Sequence, residues 1–239
     1  MENVKNLTLT IATSFFILFV PRAAGFFASL FDYSAIDPDD SFAWISVHHI
    51  FQAAVFILIM VLLTKKFNLD FGFKWGEKNI GKMITLRFIK YFTIYTLVSF
   101  AILILTNSFQ AFQFPLTQKN IAGYMGFQLL LSGPSEELIF RGFAITIFTM
   151  LIKGKTISQH ISLANLLAAV VFAMAHMGFS FEPFGITYNA SQLFLSFVLG
   201  IFYGICYEKS GSMYYPMIMH SYSNVIMVGS TIILSFFAT

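Results

Sequence analysis

Residues 122–151 read AGYMGFQLLLSGPSEELIFRGFAITIFTML, an apolar run with three ionisable side chains near its centre. The run is longer than the roughly 20 residues with which an α-helix crosses the hydrocarbon core of a bilayer. A charged side chain inside such a helix costs at least about 2.5 kcal/mol and is usually buried against protein for a functional reason. The stretch therefore predicts a membrane helix that carries Glu136, Glu137 and Arg141 into a protein interior.

The composition of the whole chain agrees with a membrane protein. Its 239 residues are 57% hydrophobic and only 10% charged, whereas an average soluble domain has roughly 25% charged residues. The single cysteine, Cys206, excludes an internal disulfide and a cysteine-rich metal site. The net charge of +3 is small and no basic run occurs, so we expect no nucleic-acid partner.

Further apolar segments of helical length lie on both sides of the quoted stretch. Together they predict an all-α fold, a polytopic transmembrane helix bundle of about seven spans within a range of roughly six to eight. The loops between them are too short for a soluble domain, so residues 1–239 are expected to form a single integral membrane domain. The segments are 7–30, 44–64, 86–105, 122–151, 161–178, 192–207 and 213–236.

The distribution of lysine and arginine predicts the orientation, because cytoplasmic loops carry an excess of these residues. Most of them fall on one face of the bundle, above all between Lys65 and Lys90, and the acidic stretch Asp32 to Asp40 falls on the other. We therefore expect a cytoplasmic N-terminus. His220 then lies roughly 10 Å from the inner face at about 1.5 Å per helical residue, so the site is expected to open toward the cytoplasm.

Glu136 and Glu137 differ in the partners available on their own helix. Glu137 and Arg141 are spaced (i, i+4) with the acid on the N-terminal side, the better orientation for an ion pair. Glu136 lies about 100° around the helix and is served less well by the same arginine. We interpret Glu136 as a candidate general base and the other two as structural support. Pro134, just before them, predicts a kink or break in the helix.

Two more polar groups occur in apolar segments further along the chain. His176 ends one of them, with Phe172 one turn earlier as a packing residue, and His220 and Asn224 stand at (i, i+4) in the last segment. A lone histidine at such a place is more often a packing residue than a catalyst. Because each helix must hide its polar face from lipid, we expect these groups to be buried against Glu136.

Such a set suits the attack of water on a carbonyl carbon. Glu136, helped by His176, would take the proton from water, while His220 and Asn224 would donate hydrogen bonds to the developing oxyanion. Glu136, His176 and His220 also form the ligand set of a catalytic site for a divalent metal such as zinc. The sequence has no H-E-x-x-H motif, and spacing alone leaves the metal alternative open.

The positions of His176, His48 and His49 along their segments give two further expectations. If its span begins at residue 161, His176 lies roughly 20 Å from the inner face, deeper than the other site residues. Its helix is then expected to start late or tilt, or the chain after it to fold back into the membrane. His48 and His49, at the outer start of the second segment, are explained by an interfacial position and receive no role.

Taken together, the motifs resemble a known set. Glu136 to Arg141 fits E-E-x-x-x-R, Phe172 to His176 fits F-x-x-x-H, and His220 to Asn224 fits H-x-x-x-N, in that order. This is similar to the CPBP family, which comprises CaaX prenyl endopeptidases of the Ras-converting type and the bacteriocin-processing or immunity-associated Abi proteins. The resemblance predicts a catalytic core at residues 122–228.

The resemblance implies an intramembrane endopeptidase in which Glu136 activates water beside His176, and His220 with Asn224 binds the oxyanion. The family is often labelled metalloprotease, and a metal-independent glutamate mechanism is also argued for it. It implies a membrane-associated peptide or protein as substrate. The compact chain is more similar to bacterial members, which implies a bacterial plasma membrane, and the oligomeric state is left open.

Two rival functions use the same residues. A proton-coupled membrane carrier would relay protons through Glu136 and the histidines, but would be expected to show internal pseudo-symmetry, which the sequence lacks. A catalytically silent immunity or scaffold protein would bind a peptide or partner in the membrane. It would keep its activity without the Glu136 carboxylate.

Overall fold

A computed structural model of the protein describes residues 2–159, 161–181 and 184–238. The described chain is a bundle of helices with one small hairpin, so the expected all-α membrane bundle is confirmed. Its elements are α1 (Glu2–Ala28), α2 (Ala43–Phe67), α3 (Lys78–Leu105), α4 (Gln118–Phe127), π1 (Gln128–Ser132), α5 (Gly133–Glu137), π2 (Leu138–Ile145), α6 (Thr146–Ile152), α7 (Leu163–Ala175), β1 (Gly178–Phe181), β2 (Phe184–Thr187), α8 (Ala190–Ser210) and α9 (Tyr214–Ala238).

Five helices of the described chain, α1, α2, α3, α8 and α9, are long and apolar enough to cross a membrane. Large apolar side chains such as Phe15, Leu86 and Phe194 are exposed on their outer faces. Contiguous exposure of this kind is rare on soluble monomers, and it suits a surface that faces lipid.

The stretch from residue 118 to 152 is helical throughout but changes its winding twice. α4, π1, α5, π2 and α6 follow one another without an intervening loop. Pro134 lies at the start of α5, directly after π1, and its missing N–H interrupts the regular hydrogen bonding of this continuous helix. The expected irregularity at this proline is therefore present as the π-helical turn π1 rather than as a break. Such π-helical insertions are frequent at functional sites.

Gly133 brings α9 directly against α5. A Cβ atom at this position would lie only 2.7 Å from the backbone nitrogen of Ser221 and 2.8 Å from its hydroxyl oxygen. Only a residue without a side chain permits so close an approach. The contact places the face of α9 that carries His220 and Asn224 beside the two glutamates of α5.

The chain around His176 differs from the expected long fifth segment. α7 covers only Leu163–Ala175, and His176 follows it as the C-terminal cap. From Gly178 the chain forms the antiparallel pair β1 and β2, in which Phe179 lies opposite Ile186. Aromatic and β-branched residues favour strands over helices, which explains why the apolar run ends earlier as a helix than its hydropathy indicated. Since α7 is short and a hairpin follows it, His176 ends a half-length helix.

Asp37 fixes the start of α2. Its carboxylate accepts hydrogen bonds from the backbone N–H groups of Ser41 at 3.0 Å and of Phe42 and Ala43 at 2.7 Å each. Burial by itself would raise the pKa of Asp37, but these hydrogen bonds outweigh it and hold the pKa below its ordinary value. The hydroxyl of Ser41 also contacts Asn120, which ties this loop to α4.

Candidate active site

Glu137 lies at the centre of the polar cluster and is closed off from solvent. Its Oε2 lies 2.9 Å from Nε of Arg141, and both side chains are 0% exposed. The two groups meet at an angle outside hydrogen-bond geometry, so the contact is an ion pair. The guanidinium carbon of Arg141 lies 4.7 Å from the ring centre of Phe172 and 5.4 Å from that of Tyr203. The (i, i+4) pair expected from the sequence is thus formed and sealed by two aromatic rings.

The second oxygen of Glu137 orients His220. Oε1 lies 2.8 Å from Nδ1 of the histidine. Since an ionised carboxylate only accepts hydrogen bonds, Nδ1 carries a proton and Nε2 points away from Glu137.

Glu136 is held much more loosely than its neighbour. Its side chain is 17% exposed, with Oε1 4.0 Å from Nε2 of His49 and Oε2 3.8 Å from Nε2 of His220. Both distances exceed the 2.7 to 3.2 Å of an N–H···O hydrogen bond, and separations of this size are commonly bridged by water. The carboxylate is therefore free to take a proton from a bound molecule.

Phe172 connects His176 to the rest of the site. Nδ1–H of His176 donates to the backbone oxygen of Phe172 at 2.9 Å, and the two rings meet edge to face at 4.9 Å. The Phe172 ring also lies 5.9 Å from the ring of His220. Among the described contacts no nitrogen of His176 comes within 4.0 Å of the Glu136 carboxylate, and the two interact electrostatically over a longer distance.

Asn224 faces the site from the next turn of α9. Its side-chain nitrogen donates to the hydroxyl oxygen of Ser132 at 3.0 Å, and the residue is half-buried. An amide nitrogen has two N–H groups, and the described hydrogen bonds use one of them. The other is available to a ligand.

The part of the chain that carries these side chains is similar to one known protein family. Residues 118–226 match the family described as type II CAAX prenyl endopeptidase Rce1-like. These residues form an Rce1-like domain. The match starts at α4 and contains all three motifs. No curated protein and no solved structure matches the chain significantly.

His49 enters the site from outside the Rce1-like domain. No role was expected for it from the sequence, but the residue is 6% exposed and faces Glu136. The cause is the packing of α2 against α5. A signal was present in the sequence, since Gln52 lies on the same face of an otherwise apolar helix, three residues after His49.

The Rce1-like domain does not assemble the metal ligands considered from sequence. Among residues 2–159, 161–181 and 184–238, no group of three histidine, cysteine, aspartate or glutamate side chains is arranged to hold a metal ion. Glu136 and His220 approach one another, but His176 stands apart from the carboxylate and uses Nδ1 on the backbone. The geometry fits a water held by side chains.

Proposed function

We propose that this protein is an intramembrane endopeptidase that hydrolyses a peptide bond of a membrane-associated protein or peptide. The Rce1-like domain supports this class of enzyme. The observation that carries the proposal is the Glu136 carboxylate, which lies within 4.0 Å of two imidazole groups and has no bonded lysine or arginine among the described residues. Such a group has no structural purpose that would offset the cost of its burial.

In the proposed reaction, Glu136 removes a proton from water while the water oxygen attacks the carbonyl carbon of the scissile bond. The proton then passes to the nitrogen of the leaving amine as the carbon–nitrogen bond breaks. His176, whose Nδ1–H is fixed on the Phe172 carbonyl, has Nε2 left to accept a hydrogen bond on the same side. The step is a hydrolysis and needs no further reactant.

His220 and Asn224 are proposed to stabilise the oxyanion of the tetrahedral intermediate. A protonated His220 offers Nε2–H, because its Nδ1–H is held by Glu137, and Asn224 offers its second amide N–H. Donors fixed before the reaction are worth more than mobile ones, since no energy is spent on reorienting them. Glu137 and Arg141 support these donors without touching the substrate.

An apolar groove of about 910 Å³ between α3 and α8 supports a substrate with a hydrophobic segment. It is lined by aromatic and aliphatic side chains, including Phe92, Phe194 and Phe202, and reaches Met219 beside His220. A chain held there could present a peptide bond near the site. Processing of a small membrane peptide, CaaX-type cleavage and a role in bacteriocin immunity all fit this description. The lysine and arginine pattern favours a site that opens toward the cytoplasm, and the resemblance to bacterial family members favours a bacterial plasma membrane.

Cleavage of candidate membrane peptides by the purified, detergent-solubilised protein tests the proposal. We expect the wild-type protein and the lipid-facing control Leu105→Ala, altered at an exposed residue at the end of α3, to cleave equally. Glu136→Ala is expected to be inactive while retaining the wild-type unfolding temperature within a few degrees. His220→Ala is expected to be inactive and also less stable, because it removes the hydrogen bond on the buried Glu137 carboxylate. Unchanged cleavage by both variants would show that Glu136 and His220 are not catalytic residues.

The same preparation separates the remaining alternatives. A metal mechanism predicts bound zinc, inhibition by chelators and recovery on metal addition, whereas the proposed mechanism predicts activity in excess chelator. A carrier would move protons across proteoliposome membranes without cleaving peptide. A silent immunity protein would still protect cells when it carries Glu136→Ala.

A further inference from the structure

His49 is buried at the contact between α2 and α5, with both ring nitrogens directed at residues of α5. Nδ1 lies 2.6 Å from the hydroxyl oxygen of Ser135, and Nε2 lies 4.0 Å from Oε1 of Glu136. The ring also packs edge to face on Phe127 at 4.9 Å. One imidazole thus spans two consecutive residues of α5, and its orientation is fixed from two sides.

The neighbours of Nδ1 determine where the ring carries its proton. The side-chain nitrogen of Gln52 lies 3.2 Å from Nδ1 and also donates to the Ser135 oxygen at 3.2 Å. An amide nitrogen has only donors to offer, so Nδ1 accepts. The Ser135 hydroxyl lies nearer to Nδ1 than to the Ser132 carbonyl, which is 3.3 Å away. In neutral His49 the proton is therefore on Nε2, which faces the Glu136 carboxylate.

The two carboxylate oxygens of Glu136 consequently have different surroundings. Oε1 faces the neutral N–H of His49, and Oε2 faces His220 at 3.8 Å. At 4.0 Å this N–H attracts Oε1 electrostatically or through a bridging water rather than by a direct hydrogen bond, and the attraction favours one rotation of the carboxylate. Oε2 is then left toward the proposed oxyanion donors of α9, where a water would be deprotonated.

We infer that His49, on a helix outside the Rce1-like domain, is a positioning residue for Glu136 that presents Nε2–H to Oε1 and leaves Oε2 as the proton acceptor. The inference rests on the proposed peptidase function for its consequence, but the contact itself does not. A histidine that only filled space at this helix contact would not need its proton on Nε2.

Three substitutions at position 49 separate positioning from packing. The amide nitrogen of glutamine can replace Nε2 as a donor, that of asparagine reaches only the position of Nδ1, and leucine offers no donor. We expect His49→Leu and His49→Asn to lower kcat about 10- to 100-fold, as loss of a residue that orients a catalytic group does, with KM changed by less than about threefold. His49→Gln should stay within about fivefold of wild type. Ile50→Ala, at the exposed neighbouring position, is the control.

Each kinetic result has a definite reading. Wild-type kcat in all three variants would overturn the inference, and an equal loss in all three would overturn the donor role in favour of packing. Unfolding in the same detergent shows whether a variant that loses activity is still folded. A folded leucine variant with low kcat, together with an active glutamine variant, is the expected outcome.

Nitrogen NMR of ¹⁵N-histidine-labelled protein tests the contact without any substrate. The His49 signals are assigned by their loss in His49→Gln. We expect a protonated Nε2 and an unprotonated Nδ1, and a shift of the Nε2 signal in Glu136→Gln but not in Ile50→Ala. A protonated Nδ1, or signals indifferent to Glu136→Gln, would overturn the inference. An inactive wild-type protein with the expected signals would overturn the peptidase proposal alone.

Discussion

Glu136 and Glu137 are neighbours on α5, yet one side of this helix is closed and the other is open. The Glu137 carboxylate is fully buried, with Arg141 at 2.9 Å and His220 at 2.8 Å. The Glu136 carboxylate is 17% exposed and has no partner nearer than 3.8 Å among the described residues. Two identical side chains are thus distinguished entirely by what the neighbouring helices bring to each face.

The contrast teaches how a membrane helix can carry an unpaired carboxylate. Burying Glu137 with Arg141 and His220 holds the turn of α5 and the facing turn of α9 in register. Once this register is set, Glu136 projects about 100° away into the space between α2 and α9. We infer that the buried contacts of Glu137, on the closed side, provide the stability that allows Glu136, on the open side, to remain unpaired.

Removal of the charge on the open side should have the largest effect on activity. Glu136→Gln keeps the size of the side chain but removes the proposed base, so we expect kcat for peptide cleavage to fall about 10²- to 10⁴-fold. The unfolding midpoint in detergent should change little, because no short contact is lost. Residual cleavage near the wild-type rate would remove Glu136 from the mechanism.

Removal of the charge on the closed side should act on stability first. Glu137→Gln leaves Arg141 buried without its counter-charge, and breaking a buried ion pair in this way costs roughly 3 to 5 kcal/mol. We expect a large drop in unfolding temperature or loss of folded protein. The double variant Glu137→Leu with Arg141→Met, which buries no charge, should recover much of the stability. If Glu137→Gln were as stable as wild type, Glu137 would not be the structural partner of Arg141.

Much of this contrast could be predicted from local sequence. The (i, i+4) spacing of Glu137 and Arg141 indicates their pairing, and the lack of such a partner marks Glu136. The apolar runs locate the helices to within a few residues for α2, α8 and α9, because hydropathy and helix length are both local properties. The order of the motifs also indicated which helices meet.

The remainder depends on packing between distant segments. His49 reaches Glu136 only because α2 packs on α5, and no spacing rule links residues 87 positions apart. His176 was expected at the end of a full-length span, whereas α7 stops at Ala175 and a hairpin follows. Hydropathy is similar for a buried helix and a short apolar strand, so the run from residue 161 to 178 could not show where the helix ends.

On the open side, Asn224 should matter less than Glu136 because it shares its proposed role with His220. Asn224→Leu removes the amide donor, and the loss of one oxyanion donor lowers kcat about 10²- to 10³-fold. KM should change little, since the bond forms in the transition state. Ser132→Ala, which removes the acceptor of the other amide N–H, should have a smaller effect on kcat. A loss that appears only in KM would reassign Asn224 to substrate binding.

Asp37 provides the smallest and most local test of how a buried carboxylate is held. It is paired with neutral backbone donors at the start of α2 instead of with cations, so its loss should cost less than that of Glu137. We expect Asp37→Asn to lower the free energy of unfolding by about 1 to 2 kcal/mol at neutral pH. Because the folded pKa of Asp37 lies below the unfolded one, its contribution is complete above the unfolded pKa and is lost as pH falls through the folded pKa.

The stability difference between wild type and Asp37→Asn should accordingly shrink from about pH 4 downward, as measured by unfolding in an acid-tolerant detergent. Asp32→Asn is the matched control, since Asp32 lies in the same loop but is exposed and its described hydrogen bond is to Ser34. Its effect on stability should be much smaller than that of Asp37→Asn at every pH, because the side chain is exposed. A difference for Asp37→Asn that grew on acidification would mean that the carboxyl is held in its protonated form. The backbone donors at the start of α2 would then not be what binds it.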